Sequence, residues 1–235
     1  MKILAIDTTT KFLTIGVYSD GRVSEYNLEI GRQLSDLITL TIKRVLDAAG
    51  FDIKDIDYFA CGLGPGSFTG IRTGISTIKG LAWATNKPVI GVSTLDILAK
   101  NVKDTEKQII PVIDAKRNLI YSCIYKKKSG ILKRRGAYML VGIDALLKKV
   151  KGESIMLGDA AGLYRDSILK NLKGAEILDK DYWYPKARNL IELALEKIKA
   201  NELNDAFNIR PLYLYPKECQ IKNADSRRLH ADKRR

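Results

Sequence analysis

The 235-residue sequence predicts an α/β layer fold with mixed sheets. Its first hundred residues read as three strands followed by strands that alternate with helices, which is the pattern that gives a sheet with both antiparallel and parallel pairs. Hydrophobic residues make up 46% of the chain, enough for a substantial core in one or two lobes. No apolar run approaches the roughly 18 to 20 residues that cross a bilayer, so we expect no membrane partner.

The first half of the chain carries the clearest element signals. Three strands are expected first, at 2–7, 12–18 and 22–29. A helix is predicted over 36–49 because apolar residues recur on one face, with Ser35 as its N-cap and Gly50 as its end. The elements that follow are a strand at 57–62, a helix at 71–85, a strand at 89–92 and a helix that starts at the capping box 93–96.

The second half is predicted to form another, smaller lobe. Its expected elements are a strand at 108–113, a hairpin of 118–126 and 131–140, helices at 143–150, 162–172 and 186–200, and short strands at 154–157 and 175–178. No Gly/Ser/Pro-rich linker separates the halves, so the lobes should pack directly on each other. We therefore divide the chain into residues 1–105, residues 106–216 and a basic tail, 217–235, predicted to be disordered.

Residues 62–74, GLGPGSFTGIRTG, form the most informative motif. Four glycines in nine residues between a strand and a helix allow a sharp turn and a close backbone approach. The spacing does not match the dinucleotide fingerprint, the Walker loop or the nucleophile elbow, which would need a glycine in place of Pro65. This loop is therefore specific but belongs to none of the common catalytic loops.

The residue types needed for catalysis or metal binding are scarce. The chain has a single histidine, His230, so no Ser-His-Asp triad, Cys-His pair or paired-histidine metal site is expected in its folded part. Cys61, Cys123 and Cys219 are odd in number, far apart and without a C-x-x-C pair. A disulfide framework is therefore not expected, and a reducing cytoplasm is the predicted location.

The net charge of +13 attracts polyanions. The segment 126–135 contains no acid and carries six basic residues: Lys126, Lys127, Lys128, Lys133, Arg134 and Arg135. The tail 217–235 carries seven basic residues and three acids. Either cluster can meet nucleic-acid phosphates, or the two can be a solvated hairpin and a frayed terminus.

The glycine-rich motif resembles the G-x-G-P-G-S-F-T-G-[VI]-R-x-G signature of the TsaB family. Other segments resemble the family in the expected order: ILAIDTT at 3–9, KGLA at 79–82, PVIGVSTL at 88–95, PVIDAKR at 111–117 and the closing strand PLYL at 211–214. The resemblance covers residues 1 to about 216. One departure is Leu34-Ser35-Asp36, where the family commonly has His-Ser-Glu, so the polar contact of that histidine is not carried over.

The resemblance implies a fold, a function and a set of partners. The fold is actin-like/Hsp70-like (ASKHA, ribonuclease H-like), two-lobed, with mixed sheets and a reduced second lobe. The implied function is that of a non-catalytic subunit that binds and activates the TsaD-type threonylcarbamoyltransferase, which forms N6-threonylcarbamoyladenosine at position 37 of tRNAs reading ANN codons. A TsaE-like ATPase joins the complex, and ATP and metal belong to the partner subunits. tRNA would be met indirectly or through the basic clusters, and the isolated chain would form a homodimer.

The resemblance also implies three groups of site residues. The partner interface would use helices 36–49 and 71–85 through Leu34, Leu37, Ile38, Thr41, Val45, Gly70, Arg72, Gly74, Ile75 and Ile78. Gly64, Pro65, Gly66 and Ser67 would shape the loop. Asp7, Thr8 and Thr9 would be the remnant of a nucleotide site, although the chain lacks the Gly-Gly pair typical of a working second phosphate loop. The alternative is an actin-like-fold ATPase or small-substrate kinase that acts on its own.

Overall fold

Two five-stranded mixed sheets carry the fold. The structure is a computed structural model that describes residues 1–30, 33–128 and 131–215; the predictions for the tail 217–235, including His230 and Cys219, lie outside these residues. The strands are β1 (Lys2–Asp7), β2 (Phe12–Ser19), β3 (Arg22–Glu29), β4 (Tyr58–Gly62), β5 (Val89–Val92), β6 (Gln108–Lys116), β7 (Leu119–Lys128), β8 (Ile131–Val141), β9 (Ser154–Leu157) and β10 (Ala175–Ile177).

Seven α-helices connect or follow these strands in the described part of the chain. They are α1 (Leu34–Ala49), α2 (Phe68–Thr85), α3 (Thr94–Ala99), α4 (Ile143–Leu147), α5 (Asp159–Leu163), α6 (Arg165–Asn171) and α7 (Ala187–Lys199). Short 3₁₀ turns lie at Ile53–Asp55 and Lys180–Tyr182. Within the residues described, none of the helices has both the length and the apolar character to cross a membrane.

Both sheets have the same strand order. The first runs β3-β2-β1-β4-β5 and the second runs β8-β7-β6-β9-β10. In each sheet the first three strands of this order pair antiparallel. The third of them, β1 or β6, also pairs with the fourth strand, and the last two strands run parallel to it. The predicted α/β fold class with mixed sheets is confirmed, and the shorter parallel strands and helices of the second lobe fit its predicted reduced size.

Most predicted elements are present, and the differences have local causes. The helix predicted from residue 71 begins at Phe68 because Ser67 Oγ accepts a hydrogen bond from the Gly70 N–H and caps it. The predicted Ser35 cap is wrong, because α1 already begins at Leu34. The helix predicted at 162–172 is two helices that meet at Tyr164. The predicted closing strand at 211–214 is not a strand, although Leu212 N–H donates to the Leu63 carbonyl over 2.8 Å.

The two lobes exchange helices. Helix α3 follows the first sheet in the chain but packs on β6 and β7 of the second, whereas α7 follows the second sheet and packs on the first. Helices α1 and α2 cover the other face of the first sheet. The side chain of Asn101 joins the crossing segments, because it donates to the carbonyls of Tyr182 and Tyr184 over 2.9 Å and accepts from Asn189 over 2.7 Å. Packing therefore crosses the boundary predicted near residue 105.

Candidate functional site

The glycine-rich loop between β4 and α2 lies over the end of β1. The N–H of Ser67 donates to the Thr9 carbonyl over 2.7 Å, and the Thr8 hydroxyl donates to the Gly70 carbonyl over 2.7 Å. On the other side, the N–H of Thr94 donates to the Gly64 carbonyl over 2.9 Å. These hydrogen bonds hold the loop between the turn that follows β1 and the start of α3.

Close packing explains the glycines of this loop. A side chain at Gly66 would overlap the carbonyl group of Thr9, and one at Gly70 would overlap the carbonyl group of Thr8. Gly64 has a φ of +95°, in the left-handed region that favours glycine, and Pro65 follows it through a cis peptide bond. The loop therefore has the shape that lets α2 start directly against the end of β1.

The residues predicted as a nucleotide-site remnant are enclosed by this loop. Asp7, Thr8 and Thr9 are only 1%, 2% and 1% exposed. Thr9 donates both its backbone N–H and its hydroxyl to Asp7 Oδ1, over 2.9 and 2.8 Å. Asp7 Oδ2 has no partner within the described residues, and a side chain at Gly62 would overlap it. The Asp7 carboxylate is thus enclosed by the protein and is closed to solvent.

Burial also sets the protonation chemistry around Asp7. Loss of solvent raises the pKa of Asp7 to about 6, although the two hydrogen bonds from Thr9 partly oppose the rise. Burial, with a smaller contribution from Asp7, raises the pKa of the Cys61 thiol to about 12. Burial raises the pKa of Cys123 to about 11. Neither thiol is therefore a ready nucleophile at neutral pH.

Catalytic and metal-binding constellations are also missing from the described residues. No group of three or more His, Cys, Asp or Glu side chains is placed there to hold a metal ion. The hydroxyl of Ser67 accepts the cap hydrogen bond of α2, and the residues that the structure describes include no histidine that could act as its base.

The predicted partner-interface residues lie mostly inside the protein. Six of them are buried, three are half-buried against the first core, and one is exposed; in that order they are Ile38, Thr41, Gly70, Gly74, Ile75 and Ile78, then Leu34, Leu37 and Val45, then Arg72. The physical reason is that the apolar faces of α1 and α2 pack on the chain's own sheet. The buried six are therefore not available to a partner, which would meet the opposite face of these helices.

The exposed face of α2 differs from its buried face in composition. At its centre the exposed positions are small, and no atom beyond the helix's own nearby backbone lies within 4 Å of a Cβ at Gly80. Near its C-terminal end, the Trp83 side chain is 72% exposed. Near its N-terminal end, the Arg72 guanidinium lies 3.8 Å from the Phe68 ring centre and its Nε donates to the Tyr213 hydroxyl over 3.1 Å. The interface predicted from the sequence did not include the exposed aromatic residues Phe68 and Trp83.

A cleft of about 640 Å³ between the lobes was also missed. Its walls come from the start of α2, the β6–β7 turn and residues 212–215. In the turn, Lys116 Nζ pairs with Asp114 Oδ2 over 2.5 Å. Lys116, Arg117 and Asn118 all have positive φ, which is uncommon for residues other than glycine. The PVIDAKR motif marks this segment in the sequence, but only the fold brings it opposite the glycine-rich loop.

Comparison with known proteins assigns the family. A family model described as "TsaD: tRNA N6-adenosine threonylcarbamoyltransferase" matches residues 28–221. The protein TsaB of Buchnera aphidicola subsp. Schizaphis graminum, named for tRNA threonylcarbamoyladenosine biosynthesis, is 31% identical over 80% of this chain and 90% of its own. This chain belongs to the TsaB family. The TsaB of Bacillus subtilis is 28% identical, over 97% of this chain and 100% of its own.

A solved structure supports the same assignment. YeaZ from Pseudomonas aeruginosa superposes with a TM-score of 0.79 at 27% identity and covers 91% of this chain and 99% of its own. The similarity therefore extends over both lobes. The family resemblance inferred from the sequence motifs is confirmed.

Proposed function

We propose that this chain is a non-catalytic subunit that binds and activates a TsaD-type threonylcarbamoyltransferase. The product of that enzyme is N6-threonylcarbamoyladenosine at position 37 of tRNAs reading ANN codons. The observation that carries the proposal is the enclosure of Asp7, Thr8 and Thr9 in a chain whose relatives are named tRNA threonylcarbamoyladenosine biosynthesis proteins. The proposed assembly is cytoplasmic, includes a TsaE-like ATPase, and takes its ATP and metal from the partner subunits.

A self-sufficient ATPase or kinase is the weaker alternative. Such an enzyme needs an open position for the transferred phosphate beside the acid that ends its first strand. Here Asp7 is buried, and Thr9 already binds one of its carboxylate oxygens. Turnover of ATP by the isolated chain that is abolished by Asp7→Ala would support the alternative instead.

The partner surface that we propose is the exposed side of α1 and α2. We call it the α1–α2 surface and define it by Leu40, Arg72, Ser76, Gly80 and Trp83. Its central small residues let another backbone approach closely, and tryptophan and arginine are the side chains enriched at binding hot spots. A glycine inside a helix costs about 1 kcal/mol relative to alanine, so an exposed Gly80 without a contact in this chain is consistent with a contact in a complex. In isolation, the same surface would pair two copies of the chain.

The test is a titration of the full-length chain with the catalytic subunit. Ser76→Arg and Gly80→Arg place a long charged side chain at the centre of the α1–α2 surface without touching the core. We expect each variant to weaken the complex at least about tenfold, because an arginine there would hold the two backbones apart and bury an unpaired charge. Isothermal calorimetry gives the affinity, and size-exclusion chromatography with light scattering gives the stoichiometry.

The matched control is Ala200→Arg. Ala200 is an exposed small residue at the end of α7, which lies on the other face of the first sheet. This variant should bind the catalytic subunit as tightly as the unaltered chain. If Ser76→Arg and Gly80→Arg also bind normally while their thermal unfolding is cooperative, the partner does not use this surface.

A further inference from the structure

The second lobe carries a group of basic side chains on one face of the β7–β8 hairpin. Lys126 lies directly opposite Lys133, and Ile124 lies opposite Arg135. Because paired residues and alternate residues project to the same side of a sheet, Lys126, Lys133 and Arg135 share the face of Ile124. All three are exposed, and in the part of the chain that the structure describes none of them forms an ion pair.

The end of α4 extends this group. Leu146 and Val150 pack in the same cluster as Ile124, so α4 and the turn after it cover the same face of the sheet. The Gln108 side-chain amide donates a hydrogen bond to the carbonyl of Lys151. Ile109, which follows Gln108 in β6, pairs with Tyr125, which precedes Lys126 in β7. Lys148, Lys149 and Lys151 are all exposed at this end of the lobe. We define the basic surface as Lys126, Lys133, Arg135, Lys148, Lys149 and Lys151.

Basic residues on the other face of the hairpin have partners within the chain. Lys127 lies 3.9 Å from Asp104, and the Arg134 guanidinium lies 4.3 Å from the centre of the Tyr138 ring. On the basic surface, in contrast, Lys126 and Lys133 face each other directly, an arrangement that destabilises a strand pair. Lysines at a sheet edge do discourage aggregation, but that role does not account for the lysines beyond α4. The excess of positive charge on the basic surface therefore favours the binding of an external anion.

We propose that the basic surface binds the phosphate backbone of the tRNA on which the complex acts. This inference rests on the proposed function, which supplies the RNA. The surface exposes no aromatic side chain for stacking on single-stranded bases, so the phosphates of a helical stem are the expected ligand. It lies on the second lobe, whereas the α1–α2 surface lies on the first, so the chain can hold its partner subunit and a tRNA stem together.

The test measures binding of an unmodified tRNA transcript to the full-length chain by fluorescence anisotropy between 50 and 200 mM salt. The variant K126E/K133E/R135E should bind at least about tenfold more weakly at 100 mM salt, and its log–log salt slope should be smaller by about 2 to 3. The matched control is R22E/K54E/K199E, which changes the net charge equally at exposed positions of β3, of the 3₁₀ turn at Ile53–Asp55 and of α7, all of which pack in the first lobe. We expect the control to lose less than about threefold in affinity.

Three outcomes would overturn this inference. An equal loss in both variants would mean that only the overall charge attracts RNA. Unchanged tRNA binding by K126E/K133E/R135E would exclude the surface directly. Binding to phosphatidylserine vesicles that is lost in this variant while tRNA binding is kept would assign the surface to a membrane.

The same samples separate this inference from the proposed function. K126E/K133E/R135E should still bind the catalytic subunit, and Gly80→Arg should still bind tRNA. Normal partner binding together with unaffected tRNA binding in the triple variant would contradict only the tRNA surface. If Ser76→Arg and Gly80→Arg bind the catalytic subunit normally while the triple variant loses tRNA affinity, only the proposed subunit contact is contradicted.

Discussion

Gly70→Ala is expected to lower the free energy of unfolding by about 3 kcal/mol, whereas Gly80→Ala should raise it by about 1 kcal/mol. Both glycines lie in α2, so helix propensity alone would favour alanine at either position. At Gly70, however, a methyl group would overlap the carbonyl of Thr8, which directly follows β1, the central strand of the first sheet. At Gly80 a methyl group meets no atom beyond the nearby helix backbone.

Urea denaturation followed by circular dichroism measures both variants against the unaltered chain. The opposite signs make each variant the control for the other, since the chemical change is the same. Similar effects in both variants would contradict the close approach of α2 to the end of β1. If Gly80 contacts the partner subunit, Gly80→Ala should stabilise the isolated chain and also weaken its binding to that subunit.

The comparison of these two glycines shows what the sequence could and could not predict. The motif marks Gly70 as conformationally special, but only the fold shows that the neighbour it must approach is Thr8 rather than a second protein. Periodicity correctly located the apolar face of α1. It could not tell that Ile75 and Ile78 pack on the chain's own sheet, because an apolar stripe has the same sequence pattern whether it covers a core or a partner.

Most strands and helices could be predicted because their ends carry local chemistry. Gly50 ends α1 in the left-handed conformation, and the Ser93 hydroxyl caps α3, as the sequence indicates. The exchange of α3 and α7 between the lobes could not be predicted, because it depends on contacts about ninety residues apart, such as Lys100 with Glu192 and Glu196. The enclosure of Asp7 likewise depends on a residue far away in the sequence, since a side chain at Gly62 would overlap its carboxylate.

Enclosure of Asp7 makes the stability of the fold dependent on pH in an unusual direction. The pKa of Asp7 is raised from 3.8 to about 6 in the folded chain, so between these values the folded protein keeps a proton that the unfolded chain has lost. The free energy of unfolding should therefore decrease as the pH rises from about 4 to 6, with a full difference of about 3 kcal/mol. Acidic side chains that form ion pairs have the opposite effect.

Asp7→Asn should remove this dependence, because the amide oxygen can still accept both hydrogen bonds from Thr9 but cannot ionise. Urea denaturation at pH 4, 5, 6 and 7.5 should show the variant gaining about 3 kcal/mol relative to the unaltered chain across this range. Burial also raises the pKa of Asp159, but that group is present in both proteins and cancels in the difference. Asp166→Asn removes an exposed carboxylate and controls for the change in net charge. A difference that does not vary with pH would contradict the raised pKa of Asp7 and therefore its enclosure in the folded chain.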